Sequence, residues 1–155
     1  MAGTIETNAL IQVGFIVRDI ETSKRKFATF LGVEAPPTID GGAYEITGTT
    51  VDGAPAPNAN CWMAFFTVGP NLQLELIQPN GVKSAWQDFL DAKGEGMHHL
   101  AFGVKNTDEK IKKCEEFGMK LLQRGKYGDG SGEYSYLDAT GDLKCFIELL
   151  ESYPK

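Results

Sequence analysis

The 155-residue chain predicts an α+β fold of two tandem βαβββ modules, and three features of the sequence support that expectation. The first is an internal repeat: QVGFIVRDIETSKRKFATFLGV at 12–33 lines up with HLAFGVKNTDEKIKKCEEFGM at 99–119, with one gap. The second is that each half continues into short alternating strands and closes alike, with LQLELIQP over CFIELLES. The third is VKSAWQDFLDAKG between the halves, whose Val82, Trp86, Phe89 and Leu90 recur at helical spacing before Gly94, a linking helix. This length suits one compact domain over 1–155 and is too short for two independent enzyme domains. The expected divisions are module one at about 10–80, the linking helix at about 81–94 and module two at about 96–151.

In chain order, the first strand leads to Asp19 as helix N-cap, and the helix stops at Gly32, suited to a left-handed C-cap. Ile20, Phe27, Phe30 and Leu31 give that helix one apolar face. Strands are expected at 44–48, 61–68 and 72–77, with PPTIDGGAYEITGTTVDGAPAPNAN as a loop carrying a short edge strand. In the second half the matching helix runs from a cap at Thr107 to Gly118, with Ile111, Cys114 and Phe117 as its apolar face. Strands follow at about 120–124, 133–138 and 144–150. GKYGDGSGEY has a G-x-G-x-G spacing but no strand-then-helix setting, so it reads as a mobile hairpin rather than a phosphate cradle.

Composition excludes several function classes. A net charge of -6, with KRK at 24–26 as the longest basic run, offers no stripe for neutralising phosphates, so no nucleic-acid partner is expected. The amino terminus lacks a basic region followed by an apolar run and a cleavage site, and no apolar stretch approaches the roughly 20 residues that span a bilayer. No membrane partner and a cytoplasmic location are expected. Cys61, Cys114 and Cys145 form an odd set without C-x-x-C spacing, which suits packing in a reducing compartment rather than a disulfide or thiolate site.

Strand alternation sorts the repeated strands into faces. Gln12, Gly14 and Ile16 share one face of the first strand, opposite Val13, Phe15 and Val17. On its repeat His99, Ala101 and Gly103 oppose His98, Leu100, Phe102 and Val104. The bulky faces belong under the helices, which leaves Gln12 and His99 beside small residues on a concave side. Adjacent His98 and His99 are thereby expected on opposite faces, His98 packing in the layer beneath the helices. On the closing strands Glu75 stands against Leu72, Leu74 and Leu76, and Glu148 against Cys145, Ile147 and Leu149. Each module thus contributes one polar residue and one carboxylate to one cavity: Gln12, Glu75, His99 and Glu148. Two converging buried carboxylates need a positive partner. No Lys or Arg falls on these faces, whereas a divalent ion accepts two carboxylates, an imidazole and an amide oxygen. Glu45 is a candidate second base, and Trp62, Met63, Phe65 and Phe66 are candidates for the pocket wall on alternate positions.

IQVGFIVRDI, LQLELIQP, GEGMHHLAFGV and CFIELLES together resemble the four ligand strands of the vicinal oxygen chelate superfamily, across residues 10–151. That superfamily includes glyoxalase I (lactoylglutathione lyase), methylmalonyl-CoA epimerase, extradiol dioxygenases and bleomycin resistance proteins. The resemblance implies two βαβββ modules forming a cupped mixed β-sheet, and one divalent metal ion (Zn, Ni, Co or Mn) held by Gln12, Glu75, His99 and Glu148. GEGMHHLAFGV is similar to the epimerase segment, whereas Gln, Glu, His, Glu is similar to the zinc-type glyoxalase I set. The epimerases usually carry His and Gln where this chain has Gln12 and Glu75. The implied activity is that of a lyase or isomerase moving a proton next to a carbonyl, with Glu148 as first base and Glu75 as its mirror-related second. The substrate expected is a small thioester, hemithioacetal or 2-oxo compound, in a site held within one chain of a homodimer. An iron dioxygenase is the oxidative alternative, against which Gln12 stands. A bleomycin-resistance-type binding protein is the non-enzymatic one, disfavoured by all four polar positions being retained.

Overall fold

The computed structural model describes residues 2–155. The first module comprises β1 (Leu10–Ile16), α1 (Ile20–Leu31), β2 (Ile39–Asp40), α2 (Tyr44–Thr47), β3 (Thr50–Val51), β4 (Ala54–Pro55), β5 (Cys61–Val68) and β6 (Leu72–Pro79). The linking helix α3 (Ala85–Lys93) leads to β7 (Gly96–Gly103), α4 (Thr107–Phe117), β8 (Lys120–Lys126), β9 (Gly132–Asp138) and β10 (Phe146–Ser152). The strands form one mixed sheet in the order β2-β5-β6-β1-β7-β10-β9-β8-β3-β4. Around the antiparallel β1–β7 pair the order is symmetric: β6 runs parallel to β1 on one side, and β10 parallel to β7 on the other. The α+β fold of two βαβββ modules is therefore present, with a β3–β4 hairpin added. Among the described residues, no helix is long and apolar enough to cross a membrane.

The helices cover the convex side. Val17, Ile20, Ala28, Ala64, Phe66 and Leu76 form the core under α1, and Val104, Ile111, Cys114, Leu137, Ile147 and Leu149 its counterpart under α4. The apolar faces are narrower than the helical spacing suggests. Phe30 is 85% exposed and Phe117 45%, because Ile20, Lys24 and Ala28 of α1, and Ile111 and Cys114 of α4, are the residues that meet the sheet. Val82 precedes α3 and is likewise exposed.

Asp19 caps α1 by accepting the Thr22 N–H, and Gly32 ends it with a left-handed φ of 70°. The cap of α4 differs from expectation. Asn106, not Thr107, is the N-cap, and its own side chain makes no capping bond. Glu151 on β10 does so instead, accepting the backbone N–H of Asn106 and of Thr107 at 3.0 Å each. A carboxylate there meets both the orphan donors and the positive end of the helix.

The expected strand at 44–48 is the single helical turn α2. Ile39–Asp40 takes the place of that strand at the β5 edge, while Thr50–Val51 pairs with β8 at the other end of the sheet. Residues 41–49 thus carry the chain from one sheet edge to the other, a crossing that a strand paired at either edge does not allow. Where this strap passes the β8–β9 turn, Gly42 has φ of +111° and a Cβ on it would lie 2.5 Å from Gly128 Cα. The hairpin expected at GKYGDGSGEY is present, closed by Tyr127 N–H donating to Gly132 C=O at 2.9 Å.

Candidate metal centre

Gln12, Glu75, His99 and Glu148 lie on β1, β6, β7 and β10, the four central strands. Their register explains the convergence. Gly14 pairs with both Glu75 and His99, and Ala101 pairs with both Gln12 and Glu148, so a small residue sits between larger ones in each module. Side chains at paired positions share a face. The Cβ that Gly14 lacks would lie 2.0 Å from His99 Cε1 and 2.4 Å from Nε2, so the imidazole occupies the space over the glycine.

All four residues are buried, at 4%, 5%, 0% and 3% exposure in chain order. His99 Nε2 lies 2.9 Å from Glu148 Oε2, 3.4 Å from Glu75 Oε1 and 3.0 Å from Gln12 Oε1. Gln12 Nε2 donates to Gln73 Oε1 at 2.7 Å, which turns the amide oxygen toward the two carboxylates. That oxygen stands 3.2 Å from Glu75 and 2.9 Å from Glu148, and turning the amide over would instead present its N–H groups to them.

Burial, and then the charge of Glu148, raise the Glu75 carboxyl to about 7, against a hydrogen bond from His99 that lowers it. Burial alone would depress His99, but Glu148 and Glu75 outweigh it and bring the imidazole to about 9. His98 is pushed well below its ordinary value by burial and by the neighbouring His99 charge, so it is neutral. The metal-free centre is thus a proton-sharing cluster.

The donor set also fits a divalent ion. Ligand atoms about 2.0–2.2 Å from one ion are separated from each other by roughly 2.9–3.5 Å at octahedral to tetrahedral angles. The contacts among Gln12 Oε1, Glu75 Oε1, His99 Nε2 and Glu148 Oε2 given above fall in that range, and the Glu75, His99 and Glu148 atoms all lie within 4.8 Å of one another. With its oxygen inward, Gln12 stands against both carboxylate oxygens, an arrangement that a cation relieves. Oxygen and imidazole donors suit Zn, Ni, Co or Mn.

Gln12, Glu75 and Glu148 open into a cavity of about 1180 Å³ lined by both modules of this one chain. Met63 and Phe65 line it from β5, whereas Phe66 packs under α1 and Trp62 is 39% exposed. Glu45 is exposed on α2 and lies outside the cavity lining. Asp40, at the end of β2 just before the strap, lines the cavity instead, accepting from Gly42 N–H and Asn60 Nδ2.

Tyr134, Tyr136 and Trp86 also line the cavity and carried no signal beyond apolar alternation in GEYSYLD and the α3 pattern. Trp86 Nε1 donates to the Tyr136 hydroxyl at 3.0 Å, and the Tyr136 ring lies 5.2 Å from that of His99. The adjacent histidines depart most from expectation. The β1–β7 register passes from Gly14↔His99 to Phe15↔Met97, so His98 is the extra residue of a β-bulge. Alternation lapses there, and the two rings touch instead of facing apart, with Nδ1 atoms 2.9 Å apart. The packing of His98 against Phe89 of α3 agrees with a place beneath a helix.

Comparison with known proteins places the chain in a family. Residues 11–136 match the model of the Glyoxalase/Bleomycin resistance protein/Dioxygenase superfamily. An ethylmalonyl-CoA/methylmalonyl-CoA epimerase of Cereibacter sphaeroides is 26% identical over 145 residues, covering 90% of this chain and 95% of that protein. An uncharacterized protein of Bacillus subtilis, YqjC, is 36% identical over 90 residues, spanning 57% of this chain and 64% of that protein. The crystal structure of methylmalonyl-CoA epimerase from Mycobacterium tuberculosis superposes with a TM-score of 0.68 at 21% identity, covering 99% of this chain and 94% of the other, and so shares the fold. The chain belongs to the Glyoxalase/Bleomycin resistance protein/Dioxygenase superfamily.

Proposed function

We propose that this chain is a divalent-metal-dependent isomerase or lyase that moves a proton on the carbon next to a carbonyl, with epimerisation of an acyl-CoA thioester as its reaction. The observation that carries this reading is the convergence of Gln12, Glu75, His99 and Glu148 in one large cavity of one chain. The extended similarity to the C. sphaeroides epimerase supports the choice of a thioester. Gln12, Glu75, His99 and Glu148 would hold the ion, whose contribution when bound is Lewis acidity toward the carbonyl oxygen as negative charge develops there.

The chain's own groups then account for the proton. Glu148 and Glu75 stand on β10 and β6, the outer two of the four central strands, one carboxylate from each module. Inverting a carbon centre requires a base on one side and an acid on the other, and related carboxylates meet that need. Glu148 would leave the ion to remove the proton, and Glu75, itself off the ion and protonated from solvent, would return one to the opposite face. Met63, Phe65 and the tyrosine rings give the site apolar walls, and a carboxylate beside such walls is a stronger base.

The test is solvent deuterium incorporation at the α-carbon of methylmalonyl-CoA by metal-loaded protein, beside a methylglyoxal–thiol hemithioacetal. Exchange on the thioester is expected, and Glu148→Gln should slow it roughly 10²–10⁴-fold. Exchange on the hemithioacetal alone would reassign the substrate, and full activity in Glu148→Gln would overturn the role of that carboxylate.

A further inference from the structure

The bulge that brings the two histidines together gives His98 a task. Its ring is 1% exposed and sits among Phe89, Tyr136 and Phe146, with centroids 4.9, 5.4 and 4.9 Å away. Packing alone does not call for an imidazole in such surroundings, because a phenyl ring fills the same space without burying polar nitrogen. Nε2 of His98 is indeed buried with no hydrogen-bond partner among the described residues. The polar atom that is engaged is Nδ1, 2.9 Å from Nδ1 of His99, with the two rings nearly perpendicular at 88°.

A contact between two ring nitrogens holds one proton, so one ring donates and the other accepts. His99 Nε2 faces Gln12 Oε1 and the two carboxylates, and it can hold a cation only with its lone pair free. A neutral imidazole with a bare Nε2 carries its proton on Nδ1. His99 must then donate from Nδ1, and His98 must accept.

We propose that His98 is the positioning residue of the centre: its Nδ1 accepts the Nδ1–H of His99 and so fixes the tautomer and ring orientation that aim His99 Nε2 at Gln12, Glu75 and Glu148. The inference rests on the proposed metal-binding role of those four residues. Metal-ligating histidines generally donate their second N–H to a carboxylate, a carbonyl or water. Here a neutral histidine takes that part, and the bulge is what allows neighbours in sequence to do it. His98 therefore carries its own proton on the unpartnered Nε2.

Two variants and one spectroscopic measurement test this. His98→Phe keeps the ring among Phe89, Tyr136 and Phe146 but removes the acceptor, so zinc affinity by chelator competition should fall about 10–100-fold while the melting temperature of metal-free protein is kept or raised. His98→Asn places an oxygen where Nδ1 stood and should recover affinity to within a few-fold of wild type, although it packs less well. ¹⁵N spectra of metal-free wild type should show His98 protonated at Nε2. Wild-type zinc affinity in His98→Phe, or a His98 proton on Nδ1, would overturn the inference. Failure of wild type to bind zinc would overturn the metal role itself, and the His98 tautomer would still decide the hydrogen bond.

Discussion

Gly14→Ala is the sharpest probe of the centre, because it replaces neither a ligand nor a residue that lines the cavity. The added Cβ would lie 2.0 Å from His99 Cε1, 2.4 Å from Nε2 and 2.6 Å from Nδ1. Non-bonded carbons settle at about 3.5–4.0 Å, so the ring must retreat by about 1.5 Å. Metal–ligand distances tolerate only about 0.2 Å, and His99 would be lost as a ligand. If four ligands share about 10–16 kcal/mol of zinc binding, losing one costs about 2.5–4 kcal/mol, a roughly hundred- to thousand-fold weaker site. Zinc affinity is to be measured by chelator competition, with Gly103→Ala as control, since its Cβ meets only the flexible end of Ile11 at 3.3 Å. Affinity should collapse in Gly14→Ala and persist in Gly103→Ala. A Gly14→Ala protein that binds zinc like wild type would refute the role of His99.

Further outcomes follow from the electrostatics and from the α4 cap. Glu75 at about 7 and His99 at about 9 hold protons that an ion must displace, so zinc affinity should rise from about pH 6 to about pH 9, with proton release at neutral pH; an affinity flat over that range contradicts this. Both values lie above the ordinary 4.5 and 6.5, so their contribution to the metal-free fold is complete below those values and lost as pH rises through about 7 and then about 9. The melting temperature of chelated protein should therefore fall between about pH 5 and pH 9, and a rise would contradict the assignment. Glu151→Ala strips α4 of the side-chain cap that Glu151 provides and should cost about 1–2 kcal/mol, or roughly 2–8 °C in melting temperature, with zinc affinity unchanged.

Much of the centre was legible because β6, β10 and the Gln12–Ile16 stretch of β1 pair without a break along β1–β6 and β7–β10, and a period of two fixes which face Gln12, Glu75 and Glu148 occupy. The repeat then set the two modules side by side. What the sequence hid lies in pairing between distant segments. The bulge at His98 arises from how β7 meets β1, and no feature of GMHHLAF by itself announces it. Glu151 caps α4 from 45 residues away. The sequence reads as a strand over 44–48, yet the course of the strap over 41–49 depends on β3 finding the β8 edge in the other module. Phe30 and Phe117 fit a helical spacing but face solvent, since the positions the sheet covers are decided by how each helix lies on it.

The measurement that bears most directly on the central claim is a zinc titration of chelator-stripped protein, followed calorimetrically beside His99→Ala. One ion per chain in wild type and none at comparable affinity in His99→Ala is the predicted result. Wild type that takes up no ion, or His99→Ala that binds as tightly, would contradict a metal centre built from Gln12, Glu75, His99 and Glu148.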